Sequence, residues 1–435
     1  MTLSRLIPGR LREGAGLLRL RDFRNVFVAQ SVSVFGDGIT PVALTFAVLD
    51  LTGSGTDLGL VLAAQSVPLV ALSLVGGVWA DRLPRATLMV ASDLVRAAVQ
   101  LTGAVLLLTG SAEIWQLAAL AACHGAAEAF FRPAAGAILP QIVPAPGLQQ
   151  ANALMGVSDS FGWMVGPAVA GTLVALIGAG GAIAVDGATF LVSAAFLASL
   201  RVPAVRGAEA ARGFVAEFRA GWQEVRSRTW LWVMLLRVCL VLFVIIAPFQ
   251  VLGPLGLREQ GYGAAAWGWL QAVFSAGMIP GMLIAMRYRP RRPMITVSLM
   301  GSTAVAAPLA MAISGDPWVL GVVYGLRGIA VGILVAVWNT TLQTKIPKES
   351  LGRVTAWDWM ASTALWPAGL AVAGPLAQSF GVRTMCWVTG GLGVVVAFWV
   401  LLVKDVWRLR PVAAVAGDAT ASPAPRPPAA APPRD

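Results

Sequence analysis

Ionisable residues stand inside several long apolar stretches of this sequence. Asp37 lies between Gly36 and Gly38, deep in the first stretch, and no charged residue lies within one helical turn of it. An ionisable group at the centre of a bilayer costs at least about 2.5–3.5 kcal/mol, so it faces a cavity or a partner. An isolated carboxylate there can gain and lose a proton, which predicts a proton-coupling role for Asp37. The alternative is a hydrogen bond between packed helices.

A second group of ionisable residues is spaced four apart in the fourth apolar stretch. His124, Glu128 and Arg132 would lie above one another on one face of a helix. They form a second candidate path for protons, in which Glu128 and His124 would take part. The alternatives are an intrahelical ion pair between Glu128 and Arg132 and a buried neutral His124.

Cations and aromatic residues predict a substrate cavity. We expect Arg237 and Arg327 to be counter-ions to the acids or anchors for an anionic substrate, because both lie inside apolar stretches. Most of the 16 tryptophans belong at membrane interfaces, but three lie deeper and suit a flat apolar molecule. Two polar residues share the helical face of Asp37. The predicted cavity residues are Gln30, Ser33, Arg237, Arg327, Trp163, Trp338 and Trp366.

Other acids in the apolar stretches are expected to be structural. Asp93 and Arg96 have the i, i+3 spacing of an intrahelical pair. Asp159 and Asp358 lie near the ends of their stretches, and Asp186 receives no role from its sequence context.

The remaining reactive residue types exclude several kinds of site. The three cysteines are far apart in sequence, so they indicate neither a disulfide framework nor a CxxC metal site. The single histidine excludes a multi-histidine metal site. No lysine follows a glycine, so the Gly-Lys-Ser/Thr of a phosphate-binding loop is missing. We therefore expect no enzyme activity, no metal and no cofactor.

The composition is that of a membrane protein. Of 435 residues, 57% are apolar and 12% are charged, about half the usual soluble share of ~25%. The apolar residues form runs of about 20, each long enough to cross a bilayer as a helix. We predict an all-α membrane protein with twelve transmembrane helices, over residues 25–50, 58–80, 87–109, 114–136, 153–177, 182–200, 229–252, 264–286, 294–314, 317–342, 354–378 and 382–403.

The basic residues predict the orientation of these helices. With the N-terminus in the cytoplasm, the inner segments, counted with Arg132 toward the inner end of its span, carry 27 Lys or Arg, and the outer segments carry only Arg258 and, at the start of its span, Arg383. Positive charge is retained on the cytoplasmic side, so both termini are predicted to lie inside. The net charge of +11 is then explained by membrane orientation and does not indicate nucleic-acid binding. The first 24 residues hold six arginines and no cleavable signal peptide is visible.

The spans divide into two similar sets of six. Parallel halves with a substrate site between them are a transporter architecture. The predicted domains are a basic segment over 1–24, a six-helix half over 25–200, a cytoplasmic loop with an amphipathic helix over 201–228, a second six-helix half over 229–403 and a disordered tail over 404–435. A shift of 203 residues aligns Pro144, Leu148, Gly166, Gly171 and Gly178 with Pro347, Leu351, Gly369, Gly374 and Gly381.

Two short motifs are candidates for conformational gating. The turn between the second and third spans runs from Gly76 to Arg85, and its Gly77, Asp81, Arg82 and Arg85 suit a tight charged loop at the inner surface. An ordinary charged loop is the alternative. In the fifth span, small residues permit close helix packing and a Gly-Pro step permits a bend. That second motif consists of Gly162, Gly166, Pro167 and Gly171.

These motifs resemble those of a known family. The loop is similar to the Gly-x-x-x-Asp-Arg-x-x-Arg-Arg signature of the major facilitator superfamily, with Ala86 in place of the last basic residue. The glycines of the fifth span resemble the fifth-helix signature of the superfamily's antiporters, with Gly171-Thr172 in place of a final Gly-Gly. Residues 20–403 resemble the drug:proton antiporter branch of this superfamily, which includes the enterobactin exporter and macrolide efflux proteins. Three further segments contribute to this resemblance: Arg21-Asp22-Phe23-Arg24, Ala129-Phe130-Phe131-Arg132-Pro133-Ala134 and Gln150-Ala151-Asn152.

The resemblance implies a secondary active transporter in the cell membrane. We expect proton-coupled export, by alternating access, of a small amphipathic organic molecule such as a drug, an antibiotic or a siderophore. The expected partners are this substrate, protons and the lipid bilayer, and the expected state is a monomer. A proton symporter for nutrient uptake is the first alternative. A non-transporting receptor or scaffold is the second, and the intramembrane charges disfavour it because a scaffold has no use for them.

Overall fold

A computed structural model describes residues 16–201 and 214–410, without the side chains of 74–82, 214–218 and 348. The remaining residues, which include most of the predicted basic N-terminal segment and tail, lie outside the described part of the chain. The described residues form helices and no strands. The helices are α1 (Arg21–Thr52), α2 (Gly55–Arg82), α3 (Arg85–Leu108), α4 (Ile114–Ile142), α5 (Leu148–Ala198), α6 (Phe214–Arg226), α7 (Thr229–Glu259), α8 (Ala264–Arg287), α9 (Pro293–Ile313), α10 (Pro317–Lys345), α11 (Glu349–Phe380), α12 (Val382–Leu402) and α13 (Lys404–Arg408).

Ten helical segments in the described residues are long and apolar enough to cross a membrane. The segment containing α5 is one of the ten, although Gly178, with φ of 74°, interrupts its course. α4 is not one of the ten, because His124 and Glu128 lower its hydropathy. The prediction of an all-helical membrane fold is confirmed, and the count of twelve spans stays a prediction.

Helix-capping residues mark the beginning or end of several helices. Gly53 ends α1 in a left-handed conformation with φ of 66°, which glycine adopts without strain. A capping box between Glu113 and Gln116 begins α4. The Asp316 carboxylate begins α10, since it accepts a hydrogen bond of 2.7 Å from the Trp318 backbone N–H.

The N-terminal helices α1–α5 contact the C-terminal helices α7–α12 at the end of the molecule where α1 ends. There α2 packs against α11, and α5 packs against α8. Asp50 accepts a hydrogen bond of 2.9 Å from Arg258, and Gln378 accepts one of 2.7 Å from Thr56. Under the predicted topology, this is the outer side, so the outer ends of the two halves are closed against each other.

The glycines aligned by the 203-residue shift occupy corresponding positions. A Cβ on Gly166 would lie 2.7 Å from Gly38 Cα of α1, and one on Gly369 would lie 2.8 Å from Ala247 Cβ of α7. Gly171 approaches the start of α8 and Gly374 approaches the start of α2, each from the other half. Equivalent glycines therefore make equivalent contacts, as a repeated architecture requires.

α6 lies within the stretch 201–228, for which an amphipathic helix is predicted. The rings of Trp222 and Trp357 lie 4.8 Å apart, so α6 packs on the start of α11. Val225 is fully buried in an apolar cluster against which Trp357 also packs. α6 is thus fastened to the C-terminal half, while the side chains of its first residues, Phe214 and Phe218, lie outside the described part.

Candidate functional site

Asp37 faces an arginine of another helix. Its carboxylate lies 3.5 Å from the Arg96 guanidinium of α3, and its side chain keeps 20% of its surface exposed. No charged residue lies within one turn of Asp37 on its own helix, and a neighbouring helix supplies the cation. Asp37 is the partly accessible end of this ion pair, and Arg96 is the buried end.

Arg96 is fixed from several sides. Its guanidinium pairs with Asp93, as the i, i+3 spacing predicted. It also lies 4.3 Å from the ring centroids of both Phe131 and Phe190, so two aromatic faces enclose it. Asp93 in turn accepts a hydrogen bond of 2.6 Å from Ser193. One cation thus contacts two carboxylates and is held in place without Asp37.

Asp186 is the other buried acid of this half. Its carboxylate is fully buried and accepts hydrogen bonds of 2.5 Å from both Thr40 and Gln100. Thr189 is 3.3 Å away. Asp186 therefore fastens the second part of α5 to α1 and α3, a role that its sequence context did not reveal.

The residues spaced four apart in α4 separate into two environments. Glu128 pairs with Arg132 on its own helix, which is the alternative that the spacing also allowed. His124 instead lies 3.3 Å from the Gln65 amide, and its other ring nitrogen is buried without a partner in the described residues. Both His124 and Gln65 line a small cavity, of about 20 Å³, inside the N-terminal half.

A larger cavity, of about 270 Å³, lies within the C-terminal half. Arg327 lines it, together with two glutamines and several aromatic rings. The Arg327 guanidinium lies 5.0 Å from the Phe274 ring centroid and 5.8 Å from that of Tyr324. Trp366, a predicted cavity residue, is also part of this lining. The lining residues are Leu242, Ile245, Ile246, Phe249, Gln250, Gln271, Phe274, Ala304, Ala307, Tyr324, Arg327 and Trp366.

Arg237 lies elsewhere and is not part of this lining. Its guanidinium is buried and donates to the carbonyl oxygens of Ala397, at 3.0 Å, and Ser298, at 2.7 Å. It therefore joins α7 to α9 and α12. The expectation that Arg237 or Arg327 is the counter-ion of Asp37 or Glu128 is wrong, because each acid already has an arginine of its own half.

The other predicted cavity residues are dispersed. Trp338 donates a hydrogen bond of 3.2 Å to Asp358 and is not in the cavity lining. The Trp163 carbonyl accepts one of 3.3 Å from Ser275, which joins α5 to α8, and its ring is exposed. Gln30 Nε2 and Ser33 Oγ are buried without a partner in the described residues.

The two predicted gating motifs differ in what the structure describes. The side chains of Gly77, Asp81 and Arg82 lie outside the described part, whereas Arg85 donates a hydrogen bond of 2.5 Å to the Ala137 carbonyl of α4.

The motif of α5 is fully described. Gly162 and Gly166 pack against α1, and Pro167 and Gly171 approach α8. The α5 motif therefore sits at a junction of three helices, two from one half and one from the other.

Sequence reasoning assigns no functional role to Arg96, the residue that Asp37 contacts. Arg96 was assigned to a local pair, because spacing along one helix shows partners on that helix only. Gln250 and Gln271 were also missed as cavity residues. Their polar side chains inside apolar stretches were the available signal.

The family follows from comparison with known proteins. Residues 26–369 match the family model of the Major Facilitator Superfamily. The chain belongs to the Major Facilitator Superfamily and is a multi-pass membrane transporter, not an enzyme.

The chain is similar to several bacterial relatives over most of its length. It is 27% identical to the uncharacterized MFS-type transporter YfiS of Bacillus subtilis, in an alignment that covers 88% of this chain and 94% of YfiS. It is 25% identical to macrolide efflux protein A of Streptococcus pyogenes, over 89% of this chain and 97% of that protein. It is 28% identical to the multidrug efflux pump Tap of Mycolicibacterium fortuitum, over 80% of this chain and 87% of Tap.

Solved structures show the same fold. The nucleoside transporter NupG matches with a TM-score of 0.68 at 12% identity, over 89% of this chain and 100% of that one. A bacterial homologue of the iron transporter ferroportin, in an inward-facing state, matches with a TM-score of 0.68 at 16% identity, over 89% and 99%.

Proposed function

We propose that this transporter exports a small amphipathic organic molecule in exchange for protons. Efflux is supported by the similarity to macrolide efflux protein A and to the multidrug efflux pump Tap. The closed contacts at the predicted outer side suit a state that receives substrate from the cytoplasm. The α5 glycines, which lie at those contacts, are the motif that resembles antiporters.

The observation that supports proton coupling is that Arg96 contacts two acids, Asp93 and Asp37, in different ways. Asp93 is fully buried and pairs closely with Arg96, whereas Asp37 is partly exposed at 3.5 Å. If Asp37 takes up a proton, Arg96 keeps a carboxylate partner and its charge stays compensated. Asp37 can therefore change its charge without leaving a buried cation unpaired, which would be strongly destabilising.

The proposed cycle uses this property. Substrate enters the inward-facing state while Asp37 is ionised and paired with Arg96. The outer contacts between α2 and α11 and between α5 and α8 then separate, and a proton from outside neutralises Asp37. Loss of this charge weakens the attraction between α1 and α3, and substrate leaves before the outer contacts re-form. In the inward-facing state, Asp37 then releases its proton to the cytoplasm and pairs with Arg96 again.

The test uses inside-out membrane vesicles that are acidified inside by respiration. A macrolide, chosen after the named relative, and pyrenebutyrate are the probes. We expect the wild-type chain to accumulate at least one of them, with loss of accumulation after an uncoupler and in Asp37→Asn. The matched control, Asp405→Asn, removes an exposed acid after the last span and should transport normally.

Two results would contradict the proposal. Gradient-driven accumulation that persists in Asp37→Asn would remove Asp37 from coupling and leave Glu128 as the remaining candidate. Proton-driven uptake of the probes into whole cells, in place of reduced accumulation, would show symport.

A further inference from the structure

Arg327 differs from the other intramembrane arginines. Arg96 and Arg132 each pair with carboxylates, and Arg237 donates to two backbone carbonyls. Within the part of the chain that the structure describes, Arg327 has neither an ion pair nor a hydrogen bond, and its Nε is buried. Burial of an uncompensated cation is costly, so a bound partner would stabilise this site.

The surroundings of Arg327 have the character of a ligand pocket. The cavity, of about 270 Å³, is close to the lower end of the range of small-molecule sites, roughly 300–1,000 Å³. Gln250 and Gln271 add two polar side chains for which no hydrogen-bond partner is found among the described residues. Phe274, Tyr324 and Trp366 supply apolar and aromatic surface beside them.

The helices that form this cavity are irregular where they line it. α7 has a π-helical turn over Leu242–Ile246, and α9 has a 3₁₀ turn over Thr303–Val305. α11 is broken just before Trp366, where Pro367 follows in its second segment. Such departures cost backbone hydrogen bonds, and inside a membrane they are tolerated where they line a cavity or a protein interior. Three of them meet at the cavity of Arg327.

We propose that this cavity binds the anionic group of the transported substrate, so that the substrate is an amphipathic organic anion. The inference depends on the transport function proposed above. The Arg327 guanidinium would pair with a carboxylate or a similar anion, and Gln250 and Gln271 would donate hydrogen bonds to it. The rings of Phe274, Tyr324 and Trp366 would contact the apolar body of the molecule.

The chemistry of the two halves is complementary in this scheme. The carboxylates Asp37 and Glu128 each have an arginine partner in the N-terminal half. Arg327, in the C-terminal half, has no carboxylate partner among the described residues. The substrate would therefore bring the negative charge to Arg327, while the proton is handled on the opposite half.

Binding of a charged probe and its uncharged ester tests the proposal. Purified full-length protein is titrated with pyrenebutyrate and with methyl pyrenebutyrate, and fluorescence anisotropy reports binding. We expect the wild-type chain to bind the carboxylate at least tenfold more tightly than the ester. Arg327→Gln should bind both with similar affinity, and Arg327→Lys should retain part of the preference.

A matched control separates the site from overall charge. Arg289→Gln removes one positive charge from an exposed loop and should keep the full preference for the carboxylate. If Arg327→Gln does not fold, the wild-type preference and the Arg327→Lys variant still decide the matter.

Two outcomes would overturn the proposal. One is equal affinity of the wild-type chain for acid and ester, or a preference that Arg327→Gln retains. The other is displacement of the probe by millimolar inorganic phosphate alone, which would show a site for bare anions. Binding is measured without a gradient, so a chain that binds the acid through Arg327 but fails the vesicle experiment would refute only proton-coupled export.

Discussion

Asp37 and Glu128 are both carboxylates with an arginine nearby, but the position of that arginine differs. Arg132 lies on the same helix as Glu128 and its side chain is 53% exposed. Arg96 approaches Asp37 from another helix and is 1% exposed. A change of charge at Asp37 therefore alters a contact between two helices, whereas a change at Glu128 alters a contact within one helix.

A prediction at the residue scale concerns Asp186. Asp186→Ala removes the carboxylate that accepts from Thr40 and Gln100. Gln100 still donates to the Thr40 hydroxyl at 2.7 Å, so the Thr40 hydroxyl is the buried donor that loses its acceptor. Each unsatisfied buried group costs about 1–3 kcal/mol, so the apparent melting temperature in detergent should fall by several degrees. Asp159→Ala, at an exposed position of α5, should change it little. Unchanged stability of Asp186→Ala would show that these hydrogen bonds do not hold α5 to α1.

At the scale of helices, glycines decide how closely the two halves approach. A Cβ on Gly171 would lie 2.8 Å from the Ala264 carbonyl oxygen, and one on Gly268 would lie 2.3 Å from that of Pro167. Backbone atoms cannot move aside as a flexible side chain can. The closed outer side therefore requires glycine at these contacts.

We predict that Gly171→Val shifts the transporter toward an outward-open state. The added side chain has to separate α5 from α8, and the contacts beside them separate with it. Spin labels on Leu51 and Tyr262, which are exposed, should report a longer distance than in the wild-type chain. Gly156→Val is the control, because a Cβ at Gly156 meets no atom within 4 Å. An unchanged distance in Gly171→Val would mean that the helices adjust locally.

At the scale of the whole molecule, the basic residues predict how the helices cross the membrane. The ratio of 27 inner to two outer Lys and Arg is the basis for placing both termini in the cytoplasm. The proposed direction of transport relies on the same topology, since it makes the closed end the outer one.

Cysteine labelling in intact cells tests that topology. In a chain whose three native cysteines are replaced, Ser111→Cys should react with a membrane-impermeant maleimide, because it lies on a predicted outer loop. Arg289→Cys, on a predicted inner loop, should react only after the cells are permeabilised. The reverse pattern would invert the orientation, and the cysteine-free chain shows the background.

The sequence by itself determined the membrane class, the all-helical fold and the family. These properties depend on composition and on local patterns, since an apolar run long enough to span a bilayer has to be helical to satisfy its backbone. Two helices explain why ten candidate spans are found among the described residues where the sequence predicts twelve. His124 and Glu128 lower the hydropathy of α4, and the two predicted spans within α5 meet at Gly178 without a long loop and count as one segment.

Only the tertiary structure decided which charges meet. Arg96 pairs with Asp93 on its own helix, which the spacing showed, and also with Asp37 of α1, which no spacing along one chain segment can show. Arg237 and Arg327 look alike in sequence, as single arginines in apolar helices. Backbone carbonyls of α9 and α12 satisfy Arg237, while Arg327 faces a cavity. Helix rotation and packing set this difference, and both depend on long-range contacts that sequence spacing does not encode.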